Sequence, residues 1–137
     1  MNKSGDNPLH ELIAIEKDAR AFGFEWPDAY MIIEQAVSEC DEIKSALLDE
    51  EPRSRVEEEI GDLLHTAVSM CLFSGFDPED TLARIVKKFS ARMQALKAVA
   101  ACNGYNSLKG LPIELVLELW REAKMRASEK QGRPGIF

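Results

Sequence analysis

Cysteine, histidine and basic charge are all scarce in this sequence. The three cysteines, Cys40, Cys71 and Cys102, are odd in number and loosely spaced, with only His10 and His65 to assist them. A structural zinc site is set aside, and the cysteines read as small apolar residues of a reducing compartment. No stretch approaches the roughly 18 apolar residues of a membrane span. The N-terminus, Met-Asn-Lys-Ser-Gly-Asp, lacks the apolar core of a signal peptide, so a cytoplasmic location is expected. Lys and Arg number 17 against 24 Asp and Glu, a net charge of −7. That balance lacks the basic footprint that displaces counterions from nucleic acid, so neither nucleic acid nor membrane is expected as a partner.

What remains is an ordinary globular composition, 45% hydrophobic and 30% charged over 137 residues. It predicts a single domain over 1–137. Pro8, Pro27, Pro52, Pro78 and Pro112 stand where helical patterns begin, as first-turn prolines would. Gly23, Gly75, Gly104 and Gly132 fall just past the ends of such patterns, and Gly110 lies in the last linker. The punctuation predicts five helices, over 8–22, 27–49, 53–74, 78–101 and 112–130. Asp77-Pro78-Glu79-Asp80 reads as an N-cap followed by acids that suit the helix dipole.

Apolar stripes at three- and four-residue steps mark the expected core faces. They are Ile33, Val37, Cys40, Ile43 and Leu47; Val56, Ile60, Leu63, Leu64, Ala67 and Cys71; and Leu82, Ile85, Val86, Phe89, Met93 and Leu96. No run alternates like a strand. The expected fold is all-α, an antiparallel helical bundle completed by oligomerisation, with a frayed tail over Gln131–Phe137.

Asp49-Glu50-Glu51-Pro52 is short enough to force a tight hairpin between the second and third helices. In such a hairpin, residues at one height have numbers with a constant sum. Glu42 and Glu59 sum to 101, as do Glu39 and Asp62, and half that sum falls in the loop. Each helix therefore offers two carboxylates one turn apart, at matching heights and beside the apolar stripes. Four such acids repel one another unless a cation sits among them. Oxygen ligands without Cys or His select Mg²⁺, Mn²⁺ or Ca²⁺. Gly61, the one mid-helix glycine, costs about 1 kcal/mol of helix propensity and predicts close approach of a neighbouring helix or ligand there.

Ser38-Glu39-Cys40-Asp41-Glu42 and Glu58-Glu59-Ile60-Gly61-Asp62 resemble the paired motifs E-E-x-x-E and E-E-x-x-D of MazG-like nucleoside triphosphate pyrophosphohydrolases. These belong to the all-α nucleotide pyrophosphatase superfamily. The resemblance runs from Trp26 to Lys130, a core of about 26–130. It takes in Gly75-Phe76-Asp77-Pro78, Lys87-Lys88-Phe89 with Arg92, and Trp120-Arg121-Glu122-Ala123-Lys124. Ser38 departs from the pattern, standing where the family usually has a glutamate.

The resemblance implies Mg²⁺, with Mn²⁺ as substitute, on Glu39, Glu42, Glu59 and Asp62. It implies phosphate contacts from Lys88 and Arg92, nucleotide contacts from Trp120 and Lys124, and a homodimer or higher homo-oligomer. Lys88 and Arg92 are one helical turn apart, Trp120 offers a π-face, and Lys124 lies one turn further on. Trp26 and Cys40 are expected to face the core, and His65 the helix surface. The activity implied is hydrolysis of a (deoxy)nucleoside triphosphate to monophosphate and pyrophosphate, a nucleotide-pool housekeeping reaction. The alternatives are a phosphoribosyl-ATP pyrophosphatase, an all-α dUTPase, or a non-catalytic helical nucleotide-binding and dimerisation module.

Overall fold

A computed structural model describes residues 7–130. Five helices follow one another: α1 (Pro8–Phe22), α2 (Ala29–Leu48), α3 (Arg53–Phe73), α4 (Pro78–Cys102) and α5 (Ile113–Lys130). The described residues contain no strand, so the fold class is all-α as expected. Each helix lies within two residues of its expected bounds. The expected tail, Gln131–Phe137 with Gly132, lies outside the described residues.

The caps explain why the bounds are legible. The Asn7 side chain accepts hydrogen bonds from the N–H groups of Leu9 and His10, and Pro8 opens α1. Asp28 accepts from the Met31 N–H to start α2, so Pro27 precedes the cap and stands outside the first turn. Asp77 accepts from the Glu79 N–H at 3.3 Å, the cap expected for α4. Gly23 ends α1 at φ 105°, a left-handed conformation that costs glycine nothing.

Two compact units divide the chain, one up to Thr81 and one from Leu82. In the first, α2 and α3 form the antiparallel hairpin. Its turn puts Glu50 at φ 52° and closes with the Glu51 N–H on the Ala46 carbonyl at 3.0 Å. Helix α1 lies against α3, where Arg20 Nη1 donates to the Leu72 carbonyl at 3.2 Å. In the second unit, Leu96, Val99, Leu119 and Ala123 form a buried cluster, with Met93, Leu115 and Trp120 packed on it.

The hairpin buries a different face from the one its apolar stripes predict. The buried residues of α2 are Ile32, Glu39 and Ala46, and those of α3 are Glu59, Thr66, Ser69 and Leu72. Ile33, Val37, Cys40, Leu47, Ile60 and Leu64 are exposed. At about 100° per residue the stripe lies roughly a third of a turn from the buried face. The packing of α2 on α3, together with the α1–α3 contact, covers the acidic face. Cys40 accordingly faces outward, contrary to expectation. A Cβ on Gly61 would meet nothing within 4 Å, so among the described residues no helix makes the close approach expected there.

Candidate metal and nucleotide site

The hairpin register brings three of the four expected carboxylates together. Oxygen atoms of Glu39, Glu42 and Glu59 lie within 4.8 Å of one another. Glu39 and Glu59 are only 7% and 4% exposed, while Glu42 stands at the open side. Asp62, one turn beyond Glu59, is exposed and outside that close group. It remains near enough for its charge to act on Glu59, and it lines the same cavity as Glu39.

Gln35 donates to Glu39 Oε2, and Ser38 donates to Glu42 Oε2 at 3.4 Å. Arg55 donates from Nη2 to Glu59 Oε2 at 2.7 Å and also reaches Glu51 and Glu58. Among the described residues, Glu39 Oε1 and Glu59 Oε1 are buried with no hydrogen-bond partner. Two partnerless carboxylate oxygens in a buried pocket are costly unless something positive meets them. Burial first, then the adjoining Glu42, pushes the Glu59 carboxyl above the ordinary glutamate range, and Arg55 offsets this only in part. The donor set fits a hard divalent cation.

A cavity of about 440 Å³ opens beside this cluster, within the first unit. That is the size of a small-ligand pocket. Leu12, Ile15, Trp26 and Phe73 give it apolar walls, and Glu39 and Asp62 border it. Glu16, His65 and Ser69 form a polar patch in the wall: Glu16 Oε2 is 2.6 Å from His65 Nε2 and 2.6 Å from Ser69 Oγ. Trp26 is thus half-buried in a cavity wall and not in the core, and His65 joins that wall.

In the second unit, Lys88 and Arg92 are half-buried on α4, and neither forms an ion pair among the described residues. Phe89, between them, meets Trp120 edge to face at 6.3 Å between ring centroids. Lys124 Nζ lies 6.0 Å from the centroid of Trp120, a cation–π distance. Trp120 and Lys124 therefore lie side by side on α5, and Trp120 also packs on the buried cluster.

The reading from sequence missed Arg55, Gln35 and the Glu16–His65–Ser69 patch. Arg55 was open to discovery, since Arg55 and Glu59 are an i, i+4 pair on one helix. Glu16 was not, because its partners lie 49 and 53 residues away.

Residues 29–96 match the family model of the MazG nucleotide pyrophosphohydrolase domain. The chain is 36% identical over 122 residues to the nucleoside triphosphate pyrophosphohydrolase/pyrophosphatase MazG of Thermotoga maritima, covering 86% of this chain and 46% of that protein. It is 27% identical over 114 residues to the nucleoside triphosphate pyrophosphohydrolase of Escherichia coli strain K12, covering 80% of this chain and 42% of that protein. The chain thus spans less than half the length of these curated relatives. On the family match, and on the acidic hairpin that falls inside it, the chain belongs to the MazG nucleotide pyrophosphohydrolase family.

Proposed function

We propose that this chain hydrolyses nucleoside triphosphates between the α and β phosphates, releasing a nucleoside monophosphate and pyrophosphate. One observation carries the reading: two buried, partnerless carboxylate oxygens converge with a third carboxylate beside a cavity of small-ligand size. Glu39, Glu42 and Glu59, with Asp62 beside them, would hold Mg²⁺, or Mn²⁺ in its place. Such a cation supplies the charge that polarises phosphate oxygens and acidifies water.

The chain's own residues divide the remaining work. A glutamate of the cluster takes the proton of the attacking water. In the first unit, the apolar walls with Trp26 hold the base and exclude water; in the second, Lys88 and Arg92 are the candidates for phosphate contacts and Trp120 and Lys124 for nucleotide contacts. The reading of 1–137 as one catalytic domain, with its core over 26–130, belongs to the same proposal.

Assembly follows from the uncovered stripe. Ile33, Val37, Leu47, Ile60 and Leu64 are exposed on one chain, and a second copy would cover them, so the working form is a homodimer. No helix among the described residues is long and apolar enough to cross a membrane. We assign the protein to the cytoplasm, where nucleotide pools are cleared of unwanted triphosphates.

The test is a panel of ribo- and deoxynucleoside triphosphates with Mg²⁺, the products separated by chromatography. Monophosphate and pyrophosphate in equal amounts are expected. Stepwise release of inorganic phosphate through a diphosphate would overturn the reading.

A further inference from the structure

Resting on the reading of the cavity as the base site, we infer that Glu16 selects bases bearing an exocyclic amino group over uracil and thymine. Glu16 stands on α1, and its side chain is only 15% exposed. Two groups one turn apart on α3, His65 and Ser69, each reach its Oε2 at 2.6 Å. Two short bonds on one oxygen fix the carboxylate's rotamer before any ligand arrives. Among the described residues both contacts fall on Oε2, which leaves the lone pairs of Oε1 for a ligand.

That oxygen can only accept, because an ionised carboxylate has no proton to give. The wall around it is largely apolar, from Leu12, Ile15 and Phe73. Arg20, the cation in the same wall, spends Nη1 on the Leu72 carbonyl. A ligand in this cavity therefore meets a fixed acceptor. The 4-amino group of cytosine and the 6-amino group of adenine supply the missing donor. Uracil and thymine put a carbonyl oxygen at the corresponding position, lone pair against lone pair, and their one donor on that edge, N3–H, is displaced from it. Sites built to hydrogen-bond a group discriminate against analogues that lack it.

The matched pair dCTP and dUTP, which differ only along that edge, isolates the effect. Binding of each to the whole chain is measured calorimetrically with Ca²⁺, and hydrolysis is measured separately with Mg²⁺. A hydrogen bond to a charged group predicts dCTP binding roughly 10- to 100-fold tighter than dUTP. In Glu16→Gln, whose amide can present either donor or acceptor, the ratio collapses toward one. Ser69→Ala, which frees the carboxylate to turn, lowers it part of the way. Equal binding of the two nucleotides by the wild type overturns the inference, whether or not either variant folds. So does a preference that survives in folded Glu16→Gln. Hydrolysis without preference sinks this inference alone, whereas preference without hydrolysis upholds it and sinks the assigned reaction. Binding of neither nucleotide sinks both.

Discussion

Replacing Glu59 by glutamine keeps size and hydrogen-bonding capacity but removes one charge from the carboxylate cluster. Burial and the adjoining Glu42 hold this carboxyl above the ordinary glutamate range despite Arg55 at 2.7 Å. The folded, metal-free chain therefore binds that proton more tightly than the unfolded chain does. Its stability is full below the unfolded carboxyl's titration and falls as pH rises through the raised folded value. Near neutral pH the charge is a burden, so metal-free Glu59→Gln should melt at the wild-type temperature or higher. The wild-type-minus-mutant difference should decline with rising pH through that window and then level.

Added Mg²⁺ reverses the order. Wild type at about a hundredfold above its Kd should gain roughly 10 °C, given mass action and a domain of this size. Losing even an outer-shell partner of a metal weakens affinity about 10- to 100-fold, so a lost ligand should leave a gain of about 1–2 °C or less. Activity should fall by orders of magnitude. Glu50→Gln, in the hairpin turn outside the cluster, should match wild type in every measurement. Scanning calorimetry of the three proteins with and without Mg²⁺ checks this. Identical curves for the two mutants, with activity retained in Glu59→Gln, would refute the cluster.

The other expectations use different parts of the chain. Ile32, fully buried on α2, should cost about 2–5 kcal/mol when cut to alanine, read from urea unfolding. Leu64→Glu, on the exposed stripe at 67% exposure, should leave the fold intact by circular dichroism. Light scattering should then give a 15.4 kDa species where wild type gives twice that mass; a wild-type monomer with full activity would contradict the dimer. Trp26→Ala should weaken nucleoside monophosphate binding about 5- to 100-fold if its ring stacks on the base. Unchanged affinity would move the base out of the cavity.

How much of this was legible in the sequence depended on how local each determinant was. Asn7, Asp28 and Asp77 cap within three residues of themselves, and helix ends written so locally can be read directly. The cluster was legible for a related reason: a four-residue turn converts sequence number into height, and height alone brings Glu42 to Glu59. Asp62 shows the limit of that arithmetic, since matching height does not fix how far around the helix a side chain points. The choice of covered face was illegible. The stripe through Ile33, Val37 and Leu47 is as regular as any core stripe, but regularity records that a face is covered without recording by what. Within one chain α1 covers the other side of the hairpin, tied through Glu16 to His65 and Ser69 and through Arg20 to Leu72. Those ties span about fifty residues and have no periodic signature. They also build the cavity wall beside Glu39, which is why pattern alone points Trp26 to the core, whereas His65 is exposed as expected while also reaching Glu16. The cation site was written in short-range spacing, whereas the walls that would discriminate among ligands were written in long-range contacts.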